Sequence, residues 1–268
     1  MVDRSLTSNL GRYVYGGAAI LLGLIGFVWK DFATTWQRVA PTIPHHTALA
    51  CTAAFFEVAG GAVILLRRSA RTGAAILTIL YSIFALLWVP MIFEGAGVYG
   101  NWGNFFEEFS MVVAGLVLYA AFSPVDSAWA RKQALISRLF GICAISFALV
   151  HIVYFSGLPA WIPKWIPPGQ KFWAVTTTVC FLLAAAAILS GILAPLAARL
   201  LAAEIVGFEL LVWAPKLFTA PHDHFSWAGN GICMVTAGSA WVVADSIGAT
   251  SKRSLKDTPV YSTAGTAL

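Results

Sequence analysis

Eight stretches of this chain each run for 17 to 22 residues with almost no charged side chain, and that recurrence constrains the fold more than any other feature. They extend from Tyr13 to Trp29, Thr47 to Leu66, Thr72 to Phe93, Asn104 to Phe122, Arg138 to Gly157, Phe172 to Leu193, Ala197 to Phe218 and Trp227 to Ala244. At a rise of about 1.5 Å per residue, such a stretch crosses the roughly 30 Å hydrocarbon layer of a bilayer as a helix. Backbone groups in lipid find partners only inside a helix or a closed barrel, and continuous apolar runs point to helices. The class predicted is all-α, a polytopic membrane protein. Composition agrees: 11% of residues are charged, against about 25% in a soluble domain. The first run ends in Trp29, Lys30 and Asp31 without a small-residue cleavage pattern, so it reads as a span rather than a signal peptide.

Short cytoplasmic loops collect Lys and Arg. With the N-terminus inside, twelve basic residues fall on the inner side, and five, Lys30, Arg38, Lys164, Lys171 and Lys216, fall outside. This places both termini in the cytoplasm and the chain in a bacterial inner membrane. Topology and anionic headgroups account for the formal charge of +5. No basic-aromatic pattern points to nucleic acid. Tryptophan prefers the membrane boundary, and Trp29, Trp36, Trp88, Trp102, Trp161, Trp165, Trp173, Trp213 and Trp227 all fall at outer ends or loops, with Trp129 and Trp241 toward the inside.

Sliding the chain by 125 residues lays Trp36 on Trp161, Trp88 on Trp213, Pro90 on Pro215, Phe93 on Phe218 and Trp102 on Trp227. These rare residues indicate a duplication. The spacing predicts two tandem parallel four-helix bundles, 12–123 and 138–245, joined by a cytoplasmic linker, 124–137, with tails at 1–11 and 246–268. A unit of four helices keeps both copies in one orientation.

An ionisable group at the centre of a span costs on the order of 3 kcal/mol and needs a partner or a purpose. Glu57 lies mid-span in the second run and Glu209 near mid-depth in the seventh, with Glu204 nearer the cytoplasm. Glu107 and Glu108 lie near the outer end of the fourth run, and His151 in the outer half of the fifth. At the 125-residue spacing Glu57 aligns with Leu182, Glu209 with Phe84 and His151 with Gly26. Different losses in each half predict one asymmetric site, with Glu57 meeting His151 or Glu209; each acid is otherwise a packing group bonded to its neighbours.

The remaining histidines are outside. His45 and His46 open the second span, and His222 and His224 flank Asp223. Imidazoles so placed are candidate ligands for zinc, copper or iron, the competing reading being a solvated loop. Cys51, Cys143, Cys180 and Cys233 have no paired spacing. No iron-sulfur, haem or dinucleotide motif is present, so no intrinsic haem, flavin or iron-sulfur cluster is expected.

The run Phe56, Glu57, Val58, Ala59, Gly60, Gly61, followed by Leu65, Leu66, Arg67, Arg68 and Arg71, resembles the second helix and basic turn of DoxX-like membrane proteins. His151 to Tyr154, followed by Pro159, Trp161, Ile162 and Pro163, is similar to the histidine and proline-rich outer loop of the same group. The resemblance implies a DoxX-type four-helix fold, here doubled, and kinship with membrane subunits of quinone-linked sulfur oxidoreductases. The Glu is kept in the first copy and the His in the second. On this reading Glu57, His151 and Glu209 relay protons, Trp88, Trp213 and Glu107 hold a quinone, and a membrane or periplasmic partner subunit supplies the oxidation chemistry. The alternatives are a small-molecule permease or binding protein with a pocket between the halves, and an assembly scaffold.

Overall fold

The computed structural model describes residues 10–257, and every regular element among them is helical. Residues 1–9 and 258–268, which belong to the two predicted tails, lie outside the described residues. The helices are α1 (Leu10–Trp29), α2 (His46–Leu65), α3 (Ala70–Glu94), α4 (Tyr99–Ala121), α5 (Ala128–Val153), α6 (Gln170–Ser190), α7 (Ala194–Phe208), α8 (Ala214–Thr219) and α9 (His224–Asp257). All except α7 and α8 are long and apolar enough to cross a membrane. The chain is therefore an all-helical, polytopic membrane protein.

The run predicted as one span from Ala197 to Phe218 is helical but not uniform. A π turn, Glu209–Trp213, joins α7 to α8, and Ala214 N–H donates to Glu209 O, five residues back. Pro215 lacks an N–H to continue the ordinary pattern, yet Pro90 sits inside α3 without such a turn, so proline alone does not impose it. The wider turn rotates the helix face. Phe84 and Ala85 of α3 are both buried; at the corresponding positions Glu209 is buried but Leu210 is 63% exposed, while Val212 turns inward where Leu87 faces out.

Two other boundaries differ from the sequence reading. Helix α5 begins at Ala128, inside the stretch 124–137 read as linker, because Ser127 Oγ caps it by accepting from Ala130 N–H at 3.1 Å. Helix α9 continues to Asp257, past the predicted end at 245. Elsewhere the 125-residue spacing recurs in the structure: it carries α2 onto 171–190, beside Gln170–Ser190, and α3 onto 195–219, beside the α7–π–α8 run. The indole N–H of Trp102 donates to Ala96 O, and that of Trp227 to Pro221 O, the same bond at the same spacing.

Each helix from α1 to α6 packs on the next, and α9 packs on both α7 and α1, so the helices close a ring. Helices α4 and α9 also meet across its middle. Lipid offers no hydrophobic drive to bring helices together, so close backbone approach carries the packing. A Cβ on Gly61 of α2 would stand 2.5 Å from Gly16 O of α1. The polar ends are tied separately. Arg12 is buried and donates through Nη1 to Leu65 O at 2.9 Å and Ile64 O at 3.2 Å, satisfying the last carbonyls of α2. Asp223 Oδ2 accepts from Ser226 N–H at 3.1 Å and Ser226 Oγ at 2.6 Å, which caps α9.

Gly61→Leu should lower the melting temperature in mild detergent, since overpacking costs about 1–3 kcal/mol, whereas Gly17→Leu, whose Cβ meets nothing within 4 Å, should not. Equal melting of the two variants would contradict the packing described. The bonds from Ser226 hold the Asp223 carboxylate below its ordinary range. Because the folded value is the lowered one, this stabilisation is present at neutral pH and is lost as pH falls through that value. The melting advantage of the wild type over Asp223→Ala should therefore shrink in acid; an advantage independent of pH would show that the carboxylate's charge plays no part.

Candidate functional site

The end of the ring that carries most tryptophans encloses a cavity of about 440 Å³ among α4, α5, α6, α7 and α9. Its wall is mainly apolar and rich in aromatic rings, with Phe147, Phe181, Phe208, Trp161 and Trp213, and it is punctuated by His151, Glu107, Asn104, Tyr154 and Thr236. That combination of apolar surface with a few polar groups is the usual make-up of a small-molecule site.

The polar groups are held by defined bonds. Thr178 Oγ1 donates to Ala174 O at 2.7 Å and lies 3.3 Å from His151 Nδ1. With the hydroxyl proton committed to the carbonyl, Nδ1–H is the donor to Thr178, and in the neutral ring Nε2 carries the free lone pair. The neighbouring rings of Phe181 and Phe208 both meet the imidazole nearly at right angles, at 5.2 and 5.7 Å between centroids. On α4, Glu107 Oε2 accepts from the indole N–H of Trp36 at 2.9 Å, which leaves Oε1 for a ligand or a proton.

Trp36 is the hub of this wall, although its loop belongs to the first half of the chain. Its ring stacks on Phe225 at 5.3 Å and meets Trp213 edge-on at 5.7 Å, and its carbonyl accepts from Trp88 Nε1 at 2.8 Å. Trp213 in turn lies over Gly229 of α9, where a Cβ would fall 2.1 Å from the indole, so only glycine admits the ring there. Lys216 Nζ stands 3.6 Å from the Trp161 ring centre and 4.4 Å from that of Trp213, a cation–π contact at the cavity rim.

Of the residues read from sequence, the cavity gathers His151, Glu107 and Trp213. Trp88 is buried behind Trp36 and outside the lining. The predicted meeting of Glu57 with His151 or Glu209 is not made. Gln37, from the same loop as Trp36, donates to Glu57 Oε1 at 2.6 Å in a buried site. Glu209 Oε1 accepts from Asn230 Nδ2, with Oε2 buried and unpartnered. Glu209 does not line the cavity; Cys233, one turn of α9 beyond Asn230, does. Glu204 lies on a separate groove between α6 and α7. Glu108 is fully buried with neither carboxyl oxygen partnered, beside the equally unpartnered hydroxyl of Tyr81.

The histidine set does not assemble. His46 Nε2 lies 3.7 Å from Asp31, and His224 stacks on Trp29 at 4.7 Å. Among the described residues no three His, Cys, Asp or Glu side chains converge as metal ligands. His45, His46, His222 and His224 are loop and helix-start residues.

Sequence reasoning missed Trp36, Phe147, Phe181, Phe208, Tyr154 and Asn104 as site residues. Trp36 had a signal, its match to Trp161 at the repeat spacing. The phenylalanines had none, since an aromatic side chain facing a cavity reads the same as one facing lipid.

At the 125-residue spacing the lining residues Phe147, Val150, Ile205, Cys233 and Thr236 fall on Leu22, Ile25, Leu80, Glu108 and Met111, all buried. The loop residues Phe32, Ala33, Trp36 and Gln37 of the first half are also buried, whereas Trp161, the counterpart of Trp36, is 43% exposed. No protein-family model, curated protein or solved structure matches this chain.

An unpaired buried polar group costs about 1–3 kcal/mol, whereas replacing both partners can be nearly neutral. Gln37→Leu and Glu57→Leu should each lower the melting temperature, and the double substitution should recover most of the loss. Additive losses would show that the pair is not coupled.

Proposed function

We propose that this chain is the quinone-associated membrane subunit of a DoxX-like oxidoreductase. Its eight spans, with α7–π–α8 as the seventh, form two parallel four-helix repeats, and both termini lie on the cytoplasmic side of a bacterial inner membrane. The observation that carries the reading is the aromatic cavity with His151 and Glu107 on its wall. A flat ring with oxygens at opposite edges suits aromatic walls and separated polar groups. The recurrence of helix boundaries at the repeat spacing supports the duplication, and the burial of Trp36 against the exposure of its counterpart Trp161 supports an asymmetric site.

Reduction of a quinone to a quinol takes up two electrons and two protons. In this reading the electrons come from a reduced sulfur compound oxidised at a partner subunit, and the protons reach the ring by way of His151 Nε2 and Glu107 Oε1. Glu57 and Glu209 lie outside the cavity, so in this reading they are packing acids with Gln37 and Asn230 as their partners.

Protein purified in mild detergent should yield about one quinone per chain on solvent extraction. Loss of one hydrogen bond to a ligand oxygen costs about 1–3 kcal/mol, so His151→Leu should weaken quinone binding by about tenfold, while Glu57→Gln should leave it unchanged. A preparation that neither retains nor rebinds quinone sinks the proposal.

A further inference from the structure

The cavity is not the only concave feature of this half. Between α6 and α7 lies a second, larger space of about 1000 Å³, open along the outside of the ring. Leu183, Leu196, Leu200 and Leu211 contribute to its wall, and Leu183 and Leu200 are 64% and 61% exposed, so in a membrane they face lipid. Ile162, Phe208 and Val212 belong to the walls of both spaces. The partition between cavity and bilayer is thus one side chain thick. Its centre is the Phe208 ring, stacked on Phe181 at 6.0 Å with 5° between planes.

We propose that the α6–α7 groove holds the long apolar tail of the ligand whose head sits in the cavity, and that the ligand enters laterally from the bilayer past Phe208. This rests on the cavity reading and adds to it the ligand class: a membrane-dissolved amphiphile with a compact ring and an isoprenoid-type chain. Only a wall one side chain thick, Ile162, Phe208 and Val212, separates the groove from the cavity, so a chain leaving the cavity past Phe208 enters the groove, and this selects that occupant over an unrelated lipid. Wide turns are common at functional sites; here the π turn brings Val212 inward to the partition, where its α3 counterpart Leu87 faces out.

The tail gains little affinity from the groove, because hydrocarbon in lipid is already in an apolar solvent. Its path is a steric requirement. A head can occupy the cavity only if the chain attached to it has somewhere to go, and blocking the groove should therefore exclude tailed ligands and spare tailless ones.

Gly207 offers the test, since it lies on the groove wall and a Cβ there meets nothing within 4 Å. In lipid nanodiscs, binding of a methyl-substituted 1,4-naphthoquinone with an isoprenoid tail and of the same ring without a tail would be followed by quenching of tryptophan fluorescence. Gly207→Phe should weaken the tailed ligand by about tenfold, the scale of an overpacked site, and leave the tailless ring within about twofold. Ala203→Phe, one turn earlier on the same wall, should do the same. Gly17→Phe, an equally open position on α1, should change neither. Unchanged binding of the tailed ligand in both groove variants overturns the inference and leaves the groove to ordinary lipid, with the cavity reading intact. Equal weakening of both ligands also overturns it. Failure of either ring to bind the wild type removes the cavity reading, and this inference with it.

Discussion

Hydrocarbon offers no partner to a polar atom, and much of the interior of this protein follows from that constraint. The loop between α1 and α2 is where it is met most visibly. Trp36 and Gln37, adjacent in sequence, turn into the ring and donate to Glu107 and Glu57 on two different helices. The Trp36 carbonyl takes the indole N–H of Trp88. One short segment therefore satisfies two buried acids and fixes α2, α3 and α4 against one another. Its aromatic ring, lying on Phe225 and Trp213, extends the contact to α9 and the π turn.

The same segment marks a difference between the two halves. Phe32, Ala33, Trp36 and Gln37 are buried, whereas Trp161, the counterpart of Trp36, is 43% exposed and lines the cavity. The π turn adds to the difference by rotating α8 relative to α3, so that Val212 reaches the cavity wall from a position whose counterpart, Leu87, faces out. Glu107 joins the two halves: its Oε2 accepts from Trp36 of the first-half loop, and its side chain lines the cavity together with His151 of the second half.

Most helices were legible in the sequence because a membrane span needs only length and low charge, and both are local properties. The seventh run was legible as apolar and helical, but its π turn was not: Pro90 and Pro215 look alike in sequence, and only one of them follows such a turn. The start of α5 at Ala128 was hidden because Arg131 and Lys132 give that stretch the polarity of a linker. His151, Glu107 and Trp213 were legible as site residues because a titratable group in a span, or a tryptophan at its end, is rare enough to stand out. Glu57 and Glu209 stood out for the same reason, yet their distance from the cavity was invisible, since Gln37 and Asn230 read as unremarkable polar residues until the fold brings them within bonding distance.

The sequence by itself determined the solvent of this protein, the positions of most of its helices and the 125-residue recurrence of its tryptophans, because each is written in hydropathy or in residues too rare to match by accident. Only the tertiary structure decided which acids are paired, and that His151 shares a cavity with Glu107 rather than with Glu57. The physical reason is that a cavity is defined by what fails to fill it. That depends on the shapes of side chains from five helices, two connecting segments and the π turn at once, and no single stretch of chain carries that information.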